Sequence, residues 1–238
     1  MRILGIDTTA KTATVALCED SQLIAEYSTT TASHSTVLLP MIEALFTHSG
    51  LSSDDIDLYA VSSGPGSFTG VRIGVSTAKG LAFKNGTPCV GVSSLEALAA
   101  NFAGIDGIIV PAIDTRRDTV YTAIFKSHAN GSLERLTEDL QIEINELFYI
   151  LSKYTETVYF TGDAYGSLVS RDKNFSCAQT PEKLRRQSAY GVCKVCYELY
   201  TKAPDKGAFT DNNLVPVYLK KSQAERELEE KNKNNGDK

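Results

Sequence analysis

The chain has 238 residues, 42% of them hydrophobic, and a formal charge of −5. That is enough for one large domain or two of about 100 residues each. No Lys/Arg cluster stands out beyond short pairs such as Arg116-Arg117, Arg185-Arg186 and Lys220-Lys221, which argues against a free-standing nucleic-acid binder with a basic face.

Residues 1–7 read as an apolar strand, Ile3-Leu4-Gly5-Ile6, that ends on Asp7 and two threonines. Nothing resembling a signal peptide stands before it, and no apolar run nears the ~20 residues of a membrane span. The expectation is a cytoplasmic protein with no membrane association. Residues 12–18 alternate as a strand and 23–29 as its neighbour, giving an antiparallel meander. His34 lies where a first helix begins. Leu38, Met41, Ile42 and Leu45 follow on one stripe of residues 37–46, with Pro40 starting or kinking that helix.

A strand at 56–62 leads into Ser63-Gly64-Pro65-Gly66-Ser67-Phe68-Thr69-Gly70-Val71-Arg72-Ile73-Gly74. Glycines permit backbone conformations closed to other residues, so this run fixes one sharp strand-to-helix connection. Such a turn can cradle phosphate on free N–H groups. The Gly-Lys-Ser/Thr ending of a P-loop is missing, and the glycine spacing does not fit a dinucleotide fingerprint. In the next helix, Gly70, Gly74, Ala78 and Ala82 recur every four residues and form one ridge of small side chains. Such a ridge fits close packing on the chain's own sheet, the usual fate of a helix face, or close contact with a partner helix.

A short strand at 89–92 and a helix at 94–102 complete the first half. The pattern then restarts with a strand at 107–114 ending on Asp114 and an alternating strand at 119–126. Asn130-Gly131 marks a turn. A helix at 143–152, a strand at 158–162 and a helix at 188–201 come after it. Two related α/β halves are therefore expected, 1–103 and 104–219, with a charged, partly disordered tail at 220–238.

Asp7 and Asp114 each end the first strand of a half. Two carboxylates facing across a cleft are the arrangement of the actin, sugar kinase and heat-shock ATPase superfamily, whose loops after these strands wrap nucleotide phosphates. Asp114 is followed by Thr115-Arg116-Arg117-Asp118 without a glycine. Asp7 and Asp114 are thus candidate, vestigial cofactor-binding positions, and turn capping is an equal reading. His34, His48 and His128 lack metal-ligand spacing. The five cysteines read as reduced thiols, and Cys193-x-x-Cys196 lies in a helical pattern as small core residues.

The chain resembles the bacterial TsaB (YeaZ) family. The residues that carry this are Ile3–Thr9, His34-Ser35 before Leu38-Leu39-Pro40, Gly64–Gly74, Ala78-Lys79-Gly80-Leu81-Ala82, and Ile113-Asp114-Thr115-Arg116 before Val120-Tyr121. The resemblance covers most of residues 1–218. It implies a two-lobed actin-like fold with ribonuclease-H-like halves. It also implies a non-catalytic subunit that pairs with TsaD, the catalytic paralogue, in threonylcarbamoyladenosine synthesis on tRNA. TsaE would join a ternary complex, tRNA would be met only through the complex, and the isolated chain would self-pair as a homodimer.

ATP and a metal are implied in the partner subunits and none in this chain alone. The histidine pair of TsaD follows a Gly-Val strand. The equivalent positions after Gly91-Val92 are Ser94 and Leu98, and leucine cannot bind metal. The resemblance assigns His34, Leu38, Met41, Leu45, Gly70, Gly74, Ala78 and Ala82 to the partner interface. An autonomous ATPase or small-molecule kinase of this fold is the alternative; a protease is disfavoured by the missing histidines.

Overall fold

The computed structural model describes residues 1–30, 33–172 and 177–219. The apolar run seen in sequence becomes β1 (Arg2–Asp7), the middle of a five-stranded sheet. Its neighbours are β2 (Thr12–Glu19) and β3 (Gln22–Thr30) on one side. On the other are β4 (Leu58–Gly64) and β5 (Cys89–Ser93), in the order β3-β2-β1-β4-β5. The meander β1–β3 is antiparallel, whereas β1, β4 and β5 run parallel. The parallel strands are joined by helices: α1 (His34–Ser49) precedes β4 and α2 (Phe68–Phe83) precedes β5. Pro40 lies inside α1, so the helix continues through it with one backbone donor fewer.

Because side chains alternate along a strand, the sheet has two apolar faces. Val15, Leu17, Tyr59 and Val61 pack beneath α1 and α2. Ile3, Ala16, Cys18, Leu58 and Ala60 face the other way. α3 (Ser94–Ala100) lies on that second face and ends two residues before the expected boundary.

The second sheet is built on β6 (Gly107–Asp114). β7 (Thr119–Thr122) pairs with its end and β8 (Phe125–Ser127) with its beginning, so the two are halves of one antiparallel strand. β9 (Leu133–Arg135) and β10 (Leu140–Glu143) pair outside β8 and β7, and β11 (Val158–Thr161) runs parallel on the far side of β6. The antiparallel meander followed by a parallel strand repeats the first sheet. α4 (Ile144–Leu151) and α5 (Tyr165–Arg171) close this lobe. The fold is two ribonuclease-H-like halves in the two-lobed actin-like arrangement. No helix among the described residues is long and apolar enough to cross a membrane.

Contrary to expectation, the second half does not keep all of residues 104–219. α6 (Ala189–Lys202) crosses back and buries Ala189, Val192, Cys193, Val195 and Cys196 on the first sheet. Gly5 and Gly191 permit this. A Cβ on Gly5 would lie 2.6 Å from the Ala189 carbonyl oxygen, and one on Gly191 would lie 2.1 Å from that of Ala97. Glu26 fixes the end of α6, accepting from Ser188 Oγ at 2.7 Å and Tyr190 N at 3.1 Å. The physical reason is plain in the helix itself: its apolar stripe matches the first sheet's open face, which α3 alone does not cover. Cys193 and Cys196 are core residues as expected, both fully buried and unpaired. The tail at 220–238 lies outside the described residues.

Candidate functional site

The glycine-rich connection between β4 and α2 is fitted to two other segments. A Cβ on Gly66 would lie 2.5 Å from the Thr9 carbonyl oxygen, and one on Gly70 would lie 2.0 Å from that of Thr8. Gly64 has φ +126, and a Cβ there would meet the Val217 carbonyl oxygen at 2.3 Å. The Gly64-Pro65 peptide bond is cis. Ser67 N donates to Thr9 O at 2.7 Å, Gly70 N to Ser67 Oγ at 3.3 Å and Val71 N to Ser67 O at 2.8 Å. Thr8 Oγ1 donates to Gly70 O at 2.6 Å. These donors serve the fold, so the glycines here bring backbones together and do not cradle phosphate on the N–H groups of Ser67, Gly70 and Val71.

Asp7 ends β1 within this lock and is 1% exposed. Its Oδ1 accepts from Thr9 N at 2.8 Å and Thr9 Oγ1 at 2.7 Å, and its Oδ2 accepts from Ser62 Oγ at 2.7 Å. Burial pushes its pKa up, against the opposing pull of those hydrogen bonds and of nearby His34. Asp114, by contrast, is exposed. Its Oδ1 accepts from Arg116 N at 2.8 Å, the same two-residue capping geometry as at Asp7. Both aspartates therefore cap turns.

The structure adds a carboxylate that the sequence reading missed. Asp163, just after β11, accepts from Asp114 N at 2.8 Å. Desolvation pushes its pKa up; the hydrogen bond from Asp114 N and the charge of Lys11 oppose this, while the Asp114 carboxylate adds a smaller upward push. Gly162 beside it, at φ +94, was the available signal. After Asp114 the chain turns through three successive left-handed residues, Arg116, Arg117 and Asp118, at φ 67, 55 and 61. Side chains thus occupy a turn where a phosphate loop would carry glycines. Among the described residues, no group of three or more His, Cys, Asp or Glu side chains could hold a metal ion.

Ser94 and Leu98 are both structural. Ser94 is fully buried, and its hydroxyl donates to the Pro65 carbonyl, holding the motif loop to α3. Leu98 is 1% exposed and packs with Leu95, Phe102, Ile109 and Ile113 where the two lobes meet. Leu98, which the family resemblance sets against a metal-binding histidine, is an apolar core residue.

The small ridge of α2 faces inward, which corrects its assignment to a partner interface. Gly70, Gly74, Ala78 and Ala82 are all buried. A Cβ on Gly74 would lie 2.7 Å from Thr8 Oγ1 and 3.2 Å from Val61 Cγ2. Leu38 and Leu45 of α1 belong to the same core, with Met41 packed at its margin. His34 is half-buried, its Nε2 2.7 Å from Ala10 O. The reason is the usual fate of a small helix face: it lets α2 sit close on β1 and β4. What the two helices show to solvent is different. Leu39 is 56% and Phe83 79% exposed. Arg72, Ser76 and Gly80 of α2 are exposed as well, and nothing lies within 4 Å of where a Gly80 Cβ would be.

Residues 214–219 form a strap beside α2. Leu214 is buried in the first core, and its carbonyl accepts from Lys79 Nζ at 3.3 Å. Val217 N donates to Ser63 O at 2.7 Å. Tyr218 stacks on Phe68 at 4.9 Å, and Arg72 Nε donates to the Tyr218 hydroxyl at 2.9 Å while its guanidinium lies 3.9 Å from the Phe68 ring centre.

Residues 24–225 match the family model described as TsaD: tRNA N6-adenosine threonylcarbamoyltransferase. A transferase of that name from Solidesulfovibrio magneticus is 31% identical over 73% of this chain, but the match spans only 52% of that protein. The tRNA threonylcarbamoyladenosine biosynthesis protein TsaB of Bacillus subtilis is 34% identical over 94% of this chain and 96% of its own length. YeaZ from Pseudomonas aeruginosa has the same fold, with a TM-score of 0.75 at 23% identity over 92% of this chain and 99% of that one. Near full-length similarity of this kind, together with the match to the family model over residues 24–225, means that the chain belongs to the TsaB family.

Proposed function

We propose that the chain is a non-catalytic cytoplasmic subunit for threonylcarbamoyladenosine synthesis on tRNA. It pairs with TsaD and activates it for transfer of threonylcarbamoyl to adenosine. The single observation that carries the non-catalytic reading is Leu98, sealed in apolar core at a position where the transferase would need a metal ligand. The motif-loop donors taken up by Thr9 and Ser67 support it against an autonomous ATPase. ATP and a metal then belong to the partner subunits. TsaE completes the assembly, tRNA is met through the assembly, and the isolated chain self-pairs through the same face.

That face is the outward side of α1 and α2. Leu39 and Phe83 are large apolar groups left in water. Ser76 and Gly80, one turn apart on the exposed side of α2, let a partner helix approach closely. Co-purification with TsaD, with and without TsaE, followed by the full tRNA modification assay, tests the reading. Complex formation and a requirement for this chain are expected; full modification in its absence overturns it.

A further inference from the structure

A cavity of about 580 Å³ lies where the β8–β9 turn of the second lobe meets α3, α6 and β5 of the first. Its size is that of a small-molecule site, and junctions between lobes are a common place for one. Asp7, Asp114 and Asp163 do not line it. α1 and α2 cover the opposite face of the first sheet, so a ligand bound here does not depend on the pairing with TsaD.

The walls are apolar. Val90, Ala100, Leu133, Val195 and Phe209 line them. Leu199, one turn beyond Val195 on α6, completes the row and is 43% exposed. A ligand's apolar part lying there would take this surface out of water.

The charges around these walls do not cancel. Glu96 is answered by Arg135 at 2.7 Å and Glu198 by Lys202 at 2.8 Å. Lys194 also lines the cavity, is half-buried, and makes no ion pair among the described residues. Its Nζ donates to Ala100 O at 2.6 Å and stands 5.1 Å from the Tyr190 ring centre. The carbonyl takes one of three N–H groups, and neither contact supplies a counter-charge. Desolvation pushes the Lys194 pKa below the usual lysine value, against a weaker opposing effect of Glu198. One positive charge is thus left over beside an apolar wall.

A monoanion balances that charge. A phosphate dianion would leave one negative charge unanswered beside Glu96 and Glu198, and the lining holds no arginine fork to take it. We propose that this cavity binds a small monocarboxylic acid with an apolar body. The body lies along Leu133, Val195 and Leu199, and the carboxylate accepts a charge-assisted hydrogen bond from Lys194.

The test is titration of the full chain with octanoate, acetate and 1-octanol, followed by calorimetry and amide NMR. Octanoate is expected to bind with Kd at or below about 1 mM, and acetate and 1-octanol about tenfold more weakly. Its amide shifts should centre on Leu133, Val195 and Leu199. Lys194→Met keeps the apolar stem and removes the charge, so it should weaken octanoate about tenfold and leave 1-octanol unchanged. Leu199→Asp, at an exposed position that folding tolerates, should weaken octanoate about tenfold as well. The proposal is overturned if octanoate does not bind by about 1 mM, if 1-octanol binds as tightly, or if the amide shifts lie elsewhere, as on the outward face of α1 and α2. Normal octanoate binding by either variant also overturns it; should Lys194→Met fail to fold, Leu199→Asp and the three probes on the unaltered chain still decide.

Discussion

Thr8 and Gly70 are locked together through both the side chain and the backbone of Thr8: its hydroxyl donates to Gly70 O at 2.6 Å, and its carbonyl fills the space where a Gly70 Cβ would be. A single methyl at Gly70 has nowhere to go, since its obstacle is backbone. Gly70→Ala should destabilise the protein by about 2–3 kcal/mol, the upper part of the range for overpacking. Urea unfolding measures it, and an unchanged midpoint would mean that the two turns are not in this contact.

The two sides of α2 should respond oppositely. Gly74→Leu, against Thr8 and Val61, should lose stability first. Gly80→Leu points into open space and replaces a helical glycine, so it should gain about 0.5–1 kcal/mol. It should nonetheless weaken TsaD pairing if the outward face is the interface. Phe83→Glu should do the same with stability changed by no more than about 0.5 kcal/mol. Thermal melts and pull-down on the same proteins separate the two faces, and a Gly80→Leu protein that pairs normally would remove this face from the interface.

Asp7 makes stability depend on pH. Its pKa in the folded chain is raised above 3.8, so the folded state holds a proton that the unfolded state has released. By linkage, its contribution to stability then falls as pH rises from 3.8 through the folded pKa, and the cost is fully present above that pKa. Asp7→Asn keeps an acceptor for Thr9 and leaves a group that does not titrate. The stability of wild type relative to Asp7→Asn should therefore decline with rising pH across that window. A flat difference between the two in urea unfolding would show that the carboxylate is not desolvated.

The thiols should react in order of burial. Cys18, Cys89, Cys193 and Cys196 are buried and Cys177 is half-buried. Burial pushes Cys89 up to about 11 and raises Cys193 and Cys196 well above the usual thiol range, which removes the reactive thiolate at neutral pH. Alkylation followed by mass spectrometry should label Cys177 first and the other four only on unfolding. Early labelling of Cys193 would indicate that α6 opens away from the sheet.

Arg72→Ala should release the strap. It removes a hydrogen bond and a stacked cation, together worth about 1–2 kcal/mol. Faster hydrogen exchange at Val217, whose N–H is paired to Ser63, is the expected readout.

Much of this architecture is legible in the chain. Strand alternation at residues 12–18 and the carboxylate-ended strands at Asp7 and Asp114 disclose the repeated half, because period and turn chemistry are local. The ridge of α2 is legible as a ridge, but its direction is not. Small residues every four positions serve a sheet or a partner equally well, and only the places of Thr8 and Val61 decide. Asp163 escapes for a related reason. It stands in an unpatterned loop and gains its meaning from Asp114, a segment far away in sequence. The return of α6 is likewise invisible locally, since an apolar stripe does not say which sheet it covers.

That return bears on how the protein is made. The first lobe begins with β1 at Arg2 and is finished only when α6 and Leu214 have docked. During synthesis from the N-terminus, the face carrying Ile3, Ala16 and Leu58 stands half-covered while more than 80 further residues, from α3 to α6, are still to emerge. Stalled or truncated chains would present an adhesive sheet to their neighbours, and the nascent chain is a natural client for a chaperone until its last helix arrives.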